Sequence, residues 1–155
     1  MDWFLILLAV TTAVRGLGAG IIYDVALVSL PVRRRIGAIP YVKFARALYT
    51  GNGVKTYGTV SILGALLTIA VTVGTFVRGE SAIVSWSIAI SLIATVMAFI
   101  GTSQALPAVR GLQHAPDDEA LLSEILDRFA RWHTFSTMWQ LVAFIALIVA
   151  LANQS

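Results

Sequence analysis

The most suggestive polar pattern in the sequence lies on its last apolar run. His133, Ser136 or Thr137, and Gln140 recur every three or four residues, so on a helix they share one face. Imidazole titrates nearer to neutrality than any other side chain, which makes His133 the best candidate for a general base. An amide such as that of Gln140 can stabilise negative charge developing on a bound molecule. These residue types, flanked by Trp132 and Trp139, are compatible with a site for proton transfer.

Two charged residues lie inside the first apolar run, which covers residues 3–30. They are Arg15 and Asp24. A charge held in a bilayer costs about 2.5–3.5 kcal/mol on insertion scales, so each residue needs a partner, a watery cavity or a position near the interface. We expect Arg15 to point into the bundle or into an oligomer interface. A functional and a purely structural role are both open for each residue.

Polar side chains from all four predicted helices reach a similar depth on one side of the membrane. They are Tyr23, Asp24, Tyr57, Gln104, His133 and Gln140. One interpretation is a polar pocket that opens toward the cytoplasm, in which Asp24 and His133 line the same cavity. The other is an interfacial belt, because Trp, Tyr and His are common at headgroup depth. The sequence does not separate these two interpretations.

Composition places the chain among integral membrane proteins. It has 155 residues, of which 58% are hydrophobic and 12% charged, and its mean hydropathy is +0.85. Four apolar runs are long enough to span a bilayer, at approximately 3–30, 57–77, 82–105 and 132–152. We predict an all-α membrane four-helix bundle that forms a single domain over residues 1–155. The chain has no cysteine and two histidines, so we expect no metal and no cofactor.

Lysine and arginine are distributed unequally among the connectors. Connectors 31–56 and 106–131 hold nine of them, whereas the short connector between the second and third spans holds only Arg78. The positive-inside rule then predicts that both long connectors are cytoplasmic and that both termini are outside.

The first connector contains a helical pattern of its own. Pro40 is suited to the first turn of a helix, and apolar residues follow at helical spacing until Gly51-Asn52-Gly53: Tyr41, Phe44, Ala45, Leu48 and Tyr49. Together with Lys43 and Arg46 they predict a short amphipathic basic helix on the inner leaflet. Its role is either anchorage to anionic lipid or a lid over a cavity. The acid-rich stretch after Pro116 predicts a second cytoplasmic helix, which continues into the fourth span.

Small and hydroxylated residues form stripes along the spans. They include Gly16 and Gly20 in the first span, Ser61, Gly64, Ala65, Thr68 and Thr72 in the second, and Ser87, Ser91, Thr95, Ala98 and Thr102 in the third. Such stripes permit close helix packing in lipid. They serve packing within the chain or assembly into a homo-oligomer through Gly16 and Gly20.

Several features of the chain also occur together in a known family. They are a glycine-rich first helix with Gly18-Ala19-Gly20 running to Ser29-Leu30-Pro31, Pro107 closing the third span, and Arg131-Trp132-His133 opening the fourth. In this combination the chain resembles the small four-helix membrane proteins grouped with anthrone oxygenases. The resemblance implies a membrane-embedded oxygenase that acts with O₂ on a hydrophobic polycyclic anthrone or quinol in a pocket on the cytoplasmic half.

An anthrone methylene is acidic, so a base, donors for the oxyanion and aromatic walls suffice for this reaction without a cofactor. The expected catalytic residues are His133 and Asp24. The expected substrate contacts are Arg15, Tyr23, Gln104, Trp132, Trp139 and Gln140.

Two further classes of function stay open. The first is a non-enzymatic membrane subunit that assembles through its helices or binds lipid. The second is a small transporter or channel, which needs a polar path through the outer half as well. Arg15 and the Thr11-Thr12 pair are the main polar residues there, so a path within one chain is disfavoured.

Overall fold

A computed structural model describes residues 2–48 and 52–154, and most of this chain is helical. The elements are α1 (Trp3–Asp24), a π-helical segment (Val25–Ser29), α2 (Leu30–Ile36), α3 (Ala38–Leu48), α4 (Val54–Arg78), α5 (Ala82–His114) and α6 (Glu119–Ala152). The prediction of an all-α protein with a short helix between the first two long ones is confirmed.

Four stretches are long and apolar enough to cross a membrane, so the chain is a multi-pass membrane protein with four candidate spans. They are Trp3–Ile36, Val54–Arg78, Ala82–His114 and Glu119–Ala152. Helix α1 packs against α4 and α6, and α5 packs against the same two helices. The four therefore form a bundle in which α1 and α5 are diagonal to one another.

The long helices extend beyond the apolar runs at the end that carries most of the basic residues. We expected Pro107 to close the third span, but α5 continues through it to His114. Proline inside a helix removes one backbone hydrogen bond. Here packing favours the continued helix, because Ala108 and Leu112 beyond the proline are buried in one cluster with Leu122 of α6.

One face of helix α3 packs on protein, and its predicted position on the leaflet stays a prediction. Tyr41, Val42 and Ala45 are buried in the cluster formed with α5 and α6, whereas Phe44 is exposed. Burial raises the pKa of the Tyr41 hydroxyl, and nearby Arg33 acts in the opposite direction. Tyr49 and Gly51 lie outside the described residues. The predicted apolar position and the first residue of the predicted stop at Gly51-Asn52-Gly53 are therefore not described.

Polar side chains hold both ends of α3. The carboxylate of Glu119 accepts from the backbone N–H groups of Ala38, at 2.5 Å, and Ile39, at 3.1 Å. Arg46 donates to the carbonyls of Leu112, at 2.8 Å, and Ala115, at 2.6 Å. These contacts fasten the connector to the extended ends of α5 and α6.

The opposite end of the bundle is fastened by Arg78. Its guanidinium lies 2.6 Å from Asp2 and 2.7 Å from Glu80, and it also sits over the ring of Phe4. Gln154 donates to Glu80 at 3.2 Å. The amino end, the α4–α5 turn and the carboxyl end are thereby joined.

Glycines of the long helices permit close packing within the chain. A Cβ atom on Gly16 would lie 2.7 Å from the Phe144 ring, and one on Gly101 would lie 2.9 Å from the Phe135 ring. Only Gly20 of the Gly16/Gly20 pair faces open space. Gly16 thus packs against α6 within the chain, and assembly through the Gly16/Gly20 pair stays a prediction.

Candidate ligand site between the four helices

A cavity of about 300 Å³ lies between the helices in the half of the bundle nearest α3. Its walls come from all four long helices: Ile21, Ile22 and Val25 from the first, Tyr57, Gly58, Ser61 and Ile62 from α4, Phe99 and Thr102 from α5, and His133 and Ser136 from α6. The walls are mostly apolar with a few polar groups, the usual character of a small-molecule site. Ile62 and Thr102 are exposed, so the cavity reaches the surface of the bundle.

His133 is the only ionisable group other than the Tyr57 phenol in the described wall of this cavity. Its Nε2 lies 3.3 Å from the carbonyl oxygen of Ile22, and its ring stacks on Phe129 at 5.0 Å between centroids. A carbonyl only accepts, so Nε2 carries the hydrogen in this contact. In the neutral ring Nδ1 is then the nitrogen that can accept a proton.

The first helix changes from α-helical to π-helical next to this contact. The N–H of Val25 is shared between the carbonyls of Ile21 and Ile22, where α1 passes into the π-helical segment. Single π-helical turns inside α-helices are frequent at functional sites. Ile22 and Val25, on either side of this transition, both line the cavity.

The hydroxyl groups in the wall fall into two sets. Those of Thr102 and Ser136 lie 3.0 Å apart, and both are in hydrogen-bond range of the Ala98 carbonyl. No hydrogen bond joins the hydroxyl of Tyr57 or of Ser61 to another residue in the described parts of the chain. Tyr57 and Ser61 are therefore the donors available to a ligand.

The structure does not bring Asp24 to His133, which corrects the expectation of a shared cavity. Asp24 is exposed, and it accepts a hydrogen bond from Ser29 at 3.2 Å. Successive helix residues are rotated by about 100°, so the Asp24 side chain lies roughly on the opposite side of α1 from Ile22, which lines the cavity. Similar depth along the helix axis did not imply the same face.

The other predicted substrate contacts also lie outside the described wall of this cavity. Tyr23 and Gln104 are exposed, and Gln140 is buried farther along α6. Trp132 and Trp139 are half-buried and make edge contacts with Phe135. Sequence reasoning assigned Ser61 and Thr102 to packing, and the apolar wall residues gave no signal that separates them from core.

Arg15 forms a separate polar centre inside the bundle. It is 3% exposed, donates to Thr95 Oγ1 and packs its Cδ against Gly64. The prediction that Arg15 points inward is confirmed. Its Nε and the hydroxyl of Ser91 are buried without a hydrogen-bond partner among the described residues.

The two histidines have different environments: His133 lines the cavity, whereas His114 does not. His114 is exposed at the end of α5, with Nδ1 3.3 Å from the Arg110 carbonyl. Within residues 2–48 and 52–154, no three His, Asp or Glu side chains are grouped as metal ligands would be.

No protein-family model, curated protein or solved structure matches this chain. The resemblance to anthrone oxygenases therefore stays a prediction.

Proposed function

We propose that this chain is a membrane-embedded, oxygenase-like protein that binds a hydrophobic polycyclic aromatic of the anthrone or quinol type beside His133. The proposal rests on one observation above all. A mostly apolar cavity is lined by all four long helices, and His133 is the one imidazole in its described wall. Since Nε2 of His133 donates to the Ile22 carbonyl, Nδ1 is the nitrogen that accepts a proton.

The size and lining of the cavity suit such a ligand. About 300 Å³ is at the lower limit of ordinary small-molecule sites. Phe99 and the isoleucines offer apolar contact to a planar ring system, while the hydroxyls of Tyr57 and Ser61 offer donors to an oxygen substituent. Since the cavity reaches the lipid-facing surface, a membrane-soluble molecule can enter without crossing water.

The proposed reaction starts with proton abstraction. Nδ1 of His133 takes a proton from the activated methylene, and the resulting negative charge spreads to the ring carbonyl oxygen. A hydroxyl donor from Tyr57 or Ser61 stabilises that oxyanion. O₂ is the oxidant: it adds at the carbanion carbon to give a peroxide anion, which takes the proton back from His133. The resulting hydroperoxide then loses water to give the carbonyl. One CH₂ and one O₂ become one C=O and one H₂O, and His133 returns to its neutral form.

The test is turnover of an anthrone probe by purified protein in nanodiscs, followed by O₂ consumption and by quinone absorbance. His133→Gln keeps an N–H donor for the Ile22 carbonyl but removes the base. We expect turnover to fall at least about 100-fold, as loss of a general base does, while the probe still binds. His114→Gln is the matched control, since it changes an exposed histidine outside the cavity, and we expect it to leave turnover unchanged.

A second variant tests the place of binding. Gly58 lines the cavity, and a Cβ there meets no atom within 4 Å. The Cβ of Gly58→Leu therefore meets no packed atom, and we expect the leucine side chain to occupy the cavity and abolish probe binding. Binding that survives Gly58→Leu contradicts the site. Binding without any turnover in the unaltered protein contradicts the enzyme and favours a non-enzymatic subunit that holds a lipid-soluble molecule.

A further inference from the structure

A second cleft lies at the basic end of the bundle, between the helix that continues α1 and the neighbouring stretch of α6. Its volume is about 180 Å³, and its walls include Ala26, Leu30, Arg33, Arg34, Ala130 and Thr134. It is separate from the His133 cavity, with which it shares no described wall residue. We propose that this cleft binds the phosphodiester headgroup of an anionic phospholipid.

The charges in the wall favour an anion. Arg33 and Arg34 contribute two guanidinium groups, and no carboxylate lines this cleft within the described residues. A neighbouring groove that also includes both arginines contains Glu119 and Asp127, so its charges balance. The described wall of the first cleft therefore carries only cationic side chains, and Asp127, which pairs with Arg33, lies outside it.

The two arginines have donors to spare. One terminal nitrogen of Arg33 is paired with Asp127 at 2.5 Å, but the other, Nη1, is buried without a hydrogen-bond partner in the described structure. Arg34 is exposed and makes no ion pair with a described residue. A phosphate oxygen is the acceptor that guanidinium donors bind best, through charge-assisted and bidentate contacts.

The depth of the cleft points to a lipid. Phe4 lies under Arg78 at the far end of the bundle, and Ala26 is roughly 33 Å farther along at 1.5 Å per residue. A hydrocarbon core is about 30 Å thick, so the cleft lies at headgroup level. Ala26, Leu30 and Ala130 add apolar wall beside the two arginines, which suits a headgroup attached to acyl chains.

The experiment compares phosphatidylglycerol with phosphatidylcholine, each added to the full chain in a neutral detergent, with bound lipid counted by native mass spectrometry. We expect the protein to prefer phosphatidylglycerol. Arg34→Gln is expected to weaken that preference about five-fold, the effect of one lost cationic contact at a membrane surface. Arg35→Gln is the matched control: Arg35 is also exposed on α2 but lies outside the cleft wall, so we expect it to change the preference less than about two-fold.

Thr134→Phe supplies a test that leaves every charge in place. Thr134 is exposed in the cleft wall, so a phenyl ring there blocks the cleft without entering the core. We expect it to abolish the preference for phosphatidylglycerol. Equal losses for Arg34→Gln and Arg35→Gln, or no loss for any of the three variants, overturn the proposal. Displacement of the lipid by millimolar inorganic phosphate assigns the cleft to free phosphate and overturns the lipid assignment.

Discussion

The Arg15 guanidinium on α1 donates a hydrogen bond to Thr95 Oγ1 on α5, across the axis of the bundle. Helices α1 and α5 are diagonal and pack mainly against α4 and α6, so this contact connects them directly across the bundle. Within the described residues, Arg15 forms no ion pair with a carboxylate. The hydroxyl of Thr95 is thus the described acceptor for a buried cation.

Removing that acceptor tests its contribution to stability. Thr95→Val keeps the volume but leaves a buried guanidinium nitrogen unpaired, so we expect a loss of about 1–3 kcal/mol in unfolding free energy. Thr68→Val is the control, because Thr68 is equally buried and donates only to the Gly64 carbonyl of its own helix. Denaturation in mixed micelles measures both. Equal losses for the two variants would show that the diagonal bond contributes nothing.

A pair of glycines on α4 tests the packing around the Arg15 side chain. A Cβ on Gly64 would lie 2.9 Å from the buried Cδ of Arg15, whereas a Cβ on Gly58 meets nothing within 4 Å. We expect Gly64→Ala to lower the thermal midpoint, because the buried arginine must shift and its hydrogen bond to Thr95 is thereby disturbed. Gly58→Ala should leave it unchanged or raise stability by up to about 1 kcal/mol, since alanine favours the helix. A midpoint for Gly64→Ala at or above that of the unaltered protein contradicts the observed packing.

Hydropathy and charge located the helices well but could not define their faces. The four spans and α3 follow from apolar runs and from helical spacing, which are local properties of the sequence. The face that Asp24 presents depends on the helix phase around Ile22, and the continuation of α5 past Pro107 depends on burial of Ala108 and Leu112 against α6. Both features are set by tertiary packing, so they could not be predicted from the pattern of one segment.

The candidate site shows the same division. His133 was predicted from its residue type and its place on a polar face, and it lies in the cavity wall. Ser61 and Thr102 look like any other small hydroxylated residue of a membrane helix. Only the arrangement of the four helices separates a hydroxyl beside a cavity from one that packs against a neighbouring helix.

The carboxylate of Glu119 is expected to hold α3 in place. Glu119→Ala leaves the N–H groups of Ala38 and Ile39 without their acceptor, and loss of such a cap costs about 1–2 kcal/mol. Hydrogen exchange across residues 38–48 should therefore become roughly ten-fold faster, the ratio that corresponds to 1.4 kcal/mol. Glu124→Ala is the control, since Glu124 is exposed on the same helix α6. Unchanged exchange in Glu119→Ala contradicts the capping role.

The last prediction concerns the orientation of the chain in its membrane. We propose that α3 and the extended ends of α5 and α6 are cytoplasmic and that both termini are outside, because the connectors at that end hold nine lysines and arginines and the α4–α5 turn holds one. The chain contains no cysteine, so single-cysteine variants give unambiguous labelling. Lys43→Cys on α3 should be protected from a membrane-impermeant maleimide in intact cells and should react after permeabilisation. Asn153→Cys, exposed beyond the end of α6, should react in intact cells. The reverse pattern would invert the topology and would place the phospholipid cleft in the outer leaflet.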